Sequence, residues 1–164
     1  MTRWIAIALV VLLAGCGSDR DSPEAPGLDL TGRWVTTEIA CETSSYDLPA
    51  AAAAGMNREI EQDALASPGV DIEQDGSDLV ITDPETGRQS DGTIEGDTVR
   101  YVETEEGEFA GVTGGYESTA QGTVVDADTI EGTVDIEWEF TDRGLTVQGE
   151  TACDARFERV SSSG

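Results

Sequence analysis

The chain has 164 residues and carries nine arginines, no lysine and no histidine against 34 acids, a net charge of −25. A balance that negative excludes nucleic acid and anionic lipid as natural partners, because phosphate is held by clustered lysine and arginine. The missing imidazole and amine also remove the commonest general base and the Schiff-base nucleophile.

The chain opens with an n-region holding Arg3 and an uncharged apolar run over residues 4–14, ended by small residues. That is the layout of an export signal, and the run is too short for the ~20 apolar residues that a spanning helix needs. Leu13-Ala14-Gly15-Cys16 resembles the lipobox of bacterial lipoproteins. The resemblance implies cleavage of a leader of residues 1–15 and acyl chains on Cys16. A plain secretory signal with a chance cysteine is the alternative. Two or more acyl chains make anchoring stable, at ~0.8 kcal/mol per buried methylene. Gly17, where the enterobacterial sorting pattern would place Asp for inner-membrane retention, implies the outer membrane facing the periplasm, or the cell surface. Residues 16–27 are polar, with Pro and Gly and no periodicity, and read as a flexible tether. Residues 28–164 are the length of one domain.

A first strand is expected from Thr31 to about Cys41, then one helix from Pro49 to about Leu65, capped by Asp47 or Leu48 and stopped by Pro68-Gly69. Met56, Ile60 and Ala64 recur one helical turn apart as an apolar stripe, suited to packing on a sheet or to covering a ligand mouth. Short alternating segments follow over 70–74, 79–82, 92–95, 98–103, 116–125 and 145–157. The clearest alternation is Thr129 to Phe140, where Ile130, Gly132, Val134, Ile136, Trp138 and Phe140 interleave with acids and threonine. Period two over that length marks a strand with one face in a core and one in water. Turn chemistry such as Asp75-Gly76-Ser77-Asp78 and Glu95-Gly96-Asp97 separates these segments, so successive strands are antiparallel. A thirty-residue echo, Gly92-Thr93-Ile94 against Gly122-Thr123-Val124, reads as reuse of one hairpin. The expected fold is mainly β: an antiparallel meander closed into a barrel of about eight strands, with one helix inserted after the first strand. Closure removes the two edges an open meander would expose.

Gly32 and Trp34 on the first strand, with Arg156 and Arg159 on the last, resemble the calycin group of lipocalins and avidin-like barrels. The resemblance implies that Trp34 closes one barrel end and that one of the two arginines packs over it. A helix placed before the barrel's main run departs from the usual lipocalin order. In a closed barrel the first and last strands are neighbours, so Cys41 and Cys153 are expected to pair at the seam in an oxidising compartment. Two separate buried thiols are the alternative.

Neither imidazole nor spare thiolate is left for zinc, so no cofactor or metal site is expected. Glu103, Glu105, Glu106 and Glu108 form what reads as an acidic loop, and Asp126 and Asp128 flank a turn. Paired acids of this kind serve glycoside hydrolysis or calcium, but neither set matches a calcium loop. The reading that follows is a non-enzymatic envelope lipoprotein. It would bind a small apolar molecule or lipid in the barrel, along Trp34, Val134, Ile136, Trp138 and Phe140, or those residues are simply core. The alternative is a structural or inhibitory module that docks an envelope protein through loops such as 107–115, and a paired-acid hydrolase is a third.

Overall fold

The computed structural model describes residues 28–45, 47–109 and 112–161, without the side chains of Glu108, Phe109, Val112 and Asp142. The expected leader, Cys16 and the expected tether lie outside the described residues. The elements are β1 (Gly32–Ser44), α1 (Ala50–Ala66), β2 (Val70–Asp75), β3 (Asp78–Thr82), β4 (Gln89–Glu95), β5 (Thr98–Phe109), β6 (Val112–Asp126), β7 (Thr129–Asp142) and β8 (Leu145–Arg159). Each strand pairs antiparallel with the next, and β8 returns to β1, so the meander closes into an eight-stranded barrel.

Several elements differ from the expectation. β5 and β6 run through the stretch read as an acidic loop and a docking loop, because residues 98–109 and 112–123 pair without interruption apart from the tip. The helix is entered at Pro49, with no side-chain cap from Asp47 or Leu48. Pro49 needs no N–H there, and five successive alanines then propagate the helix.

Two ends of the barrel are built differently. At one end lie the β2–β3, β4–β5 and β6–β7 turns, and the second turn residue of each accepts a backbone bond from a strand further along. Ile94 N–H donates to Ser77 O at 2.8 Å, Val124 N–H to Asp97 O at 2.7 Å and Arg159 N–H to Asp128 O at 2.9 Å. These tucked turns close that end over a core of Leu30, Trp34, Ile72, Leu79, Ile81, Ile94, Val99, Val124 and Ile130. Leu30 and Trp34 are 1% exposed, and burying a side chain of this kind contributes roughly 2–3 kcal/mol. Trp34 Nε1–H donates to Leu30 O at 2.8 Å, and Leu30 N–H to Gln74 Oε1 at 2.8 Å. The segment leading into β1 therefore plugs the closed end. Of the two candidate arginines, Arg159 lies over the Trp34 ring, 5.0 Å from its centroid, with its guanidinium held by the carbonyls of Asp29 and Thr31. Arg156 instead pairs with Glu131 and Glu158 on the outer face.

Toward the other end the wall is incomplete. Strands β2, β3 and β4 are five to seven residues long, against twelve to fifteen for β5 to β8 and thirteen for β1. β1 meets β2 only over Gly32–Trp34, and β5 meets β4 only over Thr98–Tyr101. Above those levels β1 and β5 each present a bare edge, which costs free energy unless its polar groups find partners. Two side chains supply them. Glu61 of α1 accepts the Cys41 N–H at 2.9 Å, and Arg88, at the end of the β3–β4 connection, donates to Thr104 O at 2.7 Å. Gly69 seats the exit from α1: its φ is +86°, and a Cβ there would strike the Trp34 carbonyl.

Cys41 and Cys153 are register partners across the β1–β8 seam, with sulfurs 2.11 Å apart, at disulfide distance. A link over a sequence separation of 112 contributes up to ~4.7 kcal/mol in the chain-entropy account.

Candidate functional site

The incomplete wall leaves a cavity of about 700 Å³ between the core, the inner face of β5 to β8 and the helix. Its floor is Trp34, Ile81, Val99, Ile130 and Phe157; its walls carry Tyr101, Ser118, Ala120, Ile136, Trp138 and Phe140. Met56, Ile60 and Ala64, the stripe seen in the sequence, face it from α1. No residue of α1 is buried, so this apolar stripe borders space that the protein's own side chains leave unfilled.

Of the five lining residues expected from sequence, Trp34, Ile136, Trp138 and Phe140 border the cavity. Val134 does not, although it occupies the same β7 face, pairing with Ala120 and Cys153. Trp34 serves both as core and as floor. Trp138 and Phe140 stack with ring centroids 5.9 Å apart, and the Trp138 indole lies over Gly149, where a side chain would collide with it.

A hydroxyl relay fixes this wall. Trp138 Nε1–H donates to Thr151 Oγ1 at 3.2 Å, Thr151 and Thr43 hydroxyls bond at 2.7 Å, and Thr43 Oγ1–H donates to Asn57 Oδ1 at 2.5 Å. With Thr43 donating to Asn57, Thr151 donates to Thr43, so every donor is used in one direction. Thr151, 1% exposed, is thereby satisfied in a place where an unpaired hydroxyl would cost ~1–3 kcal/mol. The relay ends on α1 and ties the helix to the inner wall.

Across the cavity, β5 turns two of the supposed loop acids inward. Arg88 pairs with Glu103 at 3.1 Å and with Glu105 at 2.5 Å, and Tyr116 O–H donates to Glu105 at 2.9 Å. The Arg88 bond, then the Tyr116 bond, hold the Glu105 carboxyl below the usual carboxylate range, so it sits as a fixed anion rather than a proton donor. Burial first, and then the nearby Glu103 charge, push the phenols of Tyr101 and Tyr116 up to about 12. Asp126, whose carboxylate accepts the Asp128 N–H at 2.9 Å, caps its own turn at the surface and is held low by that bond first.

Sequence reasoning missed Tyr101, Tyr116, Glu103 and Phe157 as lining. Tyr101 and Glu103 share one strand face by parity, which was the available signal. Among the described residues no group of three or more acids and cysteines is placed to hold a metal ion. Comparison with family models, with curated proteins and with solved structures finds no match to the chain.

Proposed function

We propose that this chain is a lipid-anchored protein of the cell envelope that holds a small apolar molecule or lipid in the mouth of its barrel without transforming it. The observation that carries this reading is the 700 Å³ cavity, bounded on one side by aromatic and aliphatic barrel residues and on the other by the apolar stripe of α1. Ligand sites are concave, mostly apolar and furnished with a few polar groups, and this cavity has that make-up. Kinship with the calycins belongs to the same proposal, supported by Gly32, Trp34 and Arg159 standing together at the closed end.

The anchor in this reading is acylated Cys16, on the outer membrane facing the periplasm or at the cell surface. Among the described residues no helix is long and apolar enough to cross a membrane. The described residues begin at Leu28, which packs against the core of the closed end.

The test is displacement of an environment-sensitive apolar fluorophore from the full chain. Ala64→Trp, which places an indole from α1 into the cavity, is expected to abolish fluorophore binding, and unchanged binding would sink the reading. For the anchor, Cys16→Ser is expected to move the protein from the membrane fraction to the soluble fraction. Retention of the variant in the membrane would remove the lipid from the account.

A further inference from the structure

We propose that the cavity selects amphiphilic cations, taking an ammonium or guanidinium head at Glu103 and an apolar tail along Met56 and Ile60 of α1. The inference rests on the ligand-binding reading and adds the chemical class of the ligand. It comes from the charges that border the cavity and from which of them are already satisfied.

Among the described residues, every charged side chain lining the cavity is an acid: Asp63, Asp83 and Glu103. Asp83 is spent, because its carboxylate accepts from Glu85 N–H, Thr86 N–H and the Thr86 hydroxyl. Glu103 is not. Arg88 divides its single positive charge between Glu103 and Glu105, which leaves one negative charge in excess, and among the described residues only one Glu103 oxygen is engaged, at 3.1 Å. The excess borders the cavity at a carboxylate that is 30% exposed, and a cation brought there gains from its attraction.

Two further features point the same way. Tyr101 lines the cavity from within the barrel, and its hydroxyl makes no hydrogen bond among the described residues. A phenol hydroxyl can donate to or accept from a polar head in the cavity. Asp63 and Ala64 belong to the last turn of α1, which carries no basic residue, so the negative end of the helix dipole adds to the field there. The wider trough of about 1210 Å³ that shares Tyr116 and Trp138 with the cavity is bordered among the described residues by Asp47, Glu105, Glu106, Glu117, Glu137 and other acids, with Arg88 paired to Glu105 beside it. A carboxylate ligand would approach through repulsion and a cation through attraction.

The test uses three probes of one chain length, decylammonium, decanol and decanoate, titrated calorimetrically into the full chain below their aggregation limits. Salt at about 0.3 M screens the outer acids. The ammonium is expected to bind about tenfold or more tighter than the alcohol, with decanoate weakest, since a charge-assisted contact exceeds ~1.4 kcal/mol. Glu103→Gln is expected to bring the ammonium to the level of the alcohol, and Asp154→Asn on the outer surface is expected to change the binding of neither probe. If Glu103→Gln fails to give a cooperative thermal transition, Asp63→Asn takes its place with a smaller loss of the same preference expected. Alcohol or decanoate binding as tightly as the ammonium, or a preference that survives these substitutions, overturns the proposal while the ligand-binding reading stands. Binding of none of the three removes both.

Discussion

The backbone N–H of Cys41 donates to the Glu61 carboxylate at 2.9 Å, and this bond serves the edge of β1 that β2 is too short to reach. The helix is thus part of the barrel wall, held there by Glu61 and by Asn57 at the end of the hydroxyl relay. Glu61→Ala should leave the lower barrel intact and free the helix. The expected outcome is a loss of about 1.5–3 kcal/mol, the range for a hydrogen bond to a charged group. Amide exchange should accelerate at Cys41 and through α1 but not in β7. Uniform acceleration across the barrel would contradict this division.

Glycine under an indole sets the shape of the cavity wall. A Cβ at position 149 would meet the Trp138 ring and come within 2.8 Å of the Ser44 carbonyl oxygen. Gly149→Ala should cost about 1–3 kcal/mol as overpacking, and because backbone blocks one side, the indole must move toward the cavity. Denaturant midpoints and tryptophan emission should both shift, and a midpoint equal to that of the parent would argue against close packing here.

Stability at high pH follows from the two phenols. In the unfolded chain tyrosine ionises near 10, whereas burial first and Glu103 second hold Tyr101 and Tyr116 neutral up to about 12. A raised folded-state value contributes stability that is complete below pH 10 and is lost as pH rises from 10 to 12. Tyr101→Phe should flatten that alkaline loss. On the acid side the sign reverses: Glu105, held low by Arg88 and then by Tyr116, contributes stability present above its unfolded value and lost as pH falls through the folded one. Denaturant midpoints taken across pH for the parent and for Tyr101→Phe check both limbs.

The outer face places like charges side by side. Glu117 pairs with Glu137, and Glu137 with Glu150, in direct register across β6, β7 and β8. Such pairs repel, and salt shortens the reach of the repulsion from about 10 Å at 0.1 M to about 3 Å at 1 M. The melting temperature should therefore rise with sodium chloride. Glu137→Gln should stabilise at low salt, with the gain vanishing at high salt. A melting temperature that is flat or falling with salt would rule out repulsion as a controlling force.

Much of the fold was legible because it obeys parity. On β7, Ile130 to Phe140 turn inward and Glu131 to Glu139 turn outward, as alternation requires, and Cys41 met Cys153 once the barrel closed. The site was less legible because it breaks the rule that acids face water. On β5, Val102 points outward at 52% exposure while Glu103 and Glu105 turn inward. What permits this is Arg88, fifteen and seventeen residues away in sequence, which brings the countercharge from a separate connection. No local pattern encodes that pairing. The shortness of β2 to β4 was legible in the brief alternating segments over 70–74, 79–82 and 92–95; what they do not reveal is that this shortness opens a mouth bordered by α1.

The central claim is that the mouth holds a small molecule, and native mass spectrometry of the protein purified from its own host tests it most directly. The account predicts a retained mass beyond the chain and its acyl groups, released on unfolding and absent from Ala64→Trp. A folded parent chain carrying no such mass under conditions that preserve non-covalent complexes would contradict it.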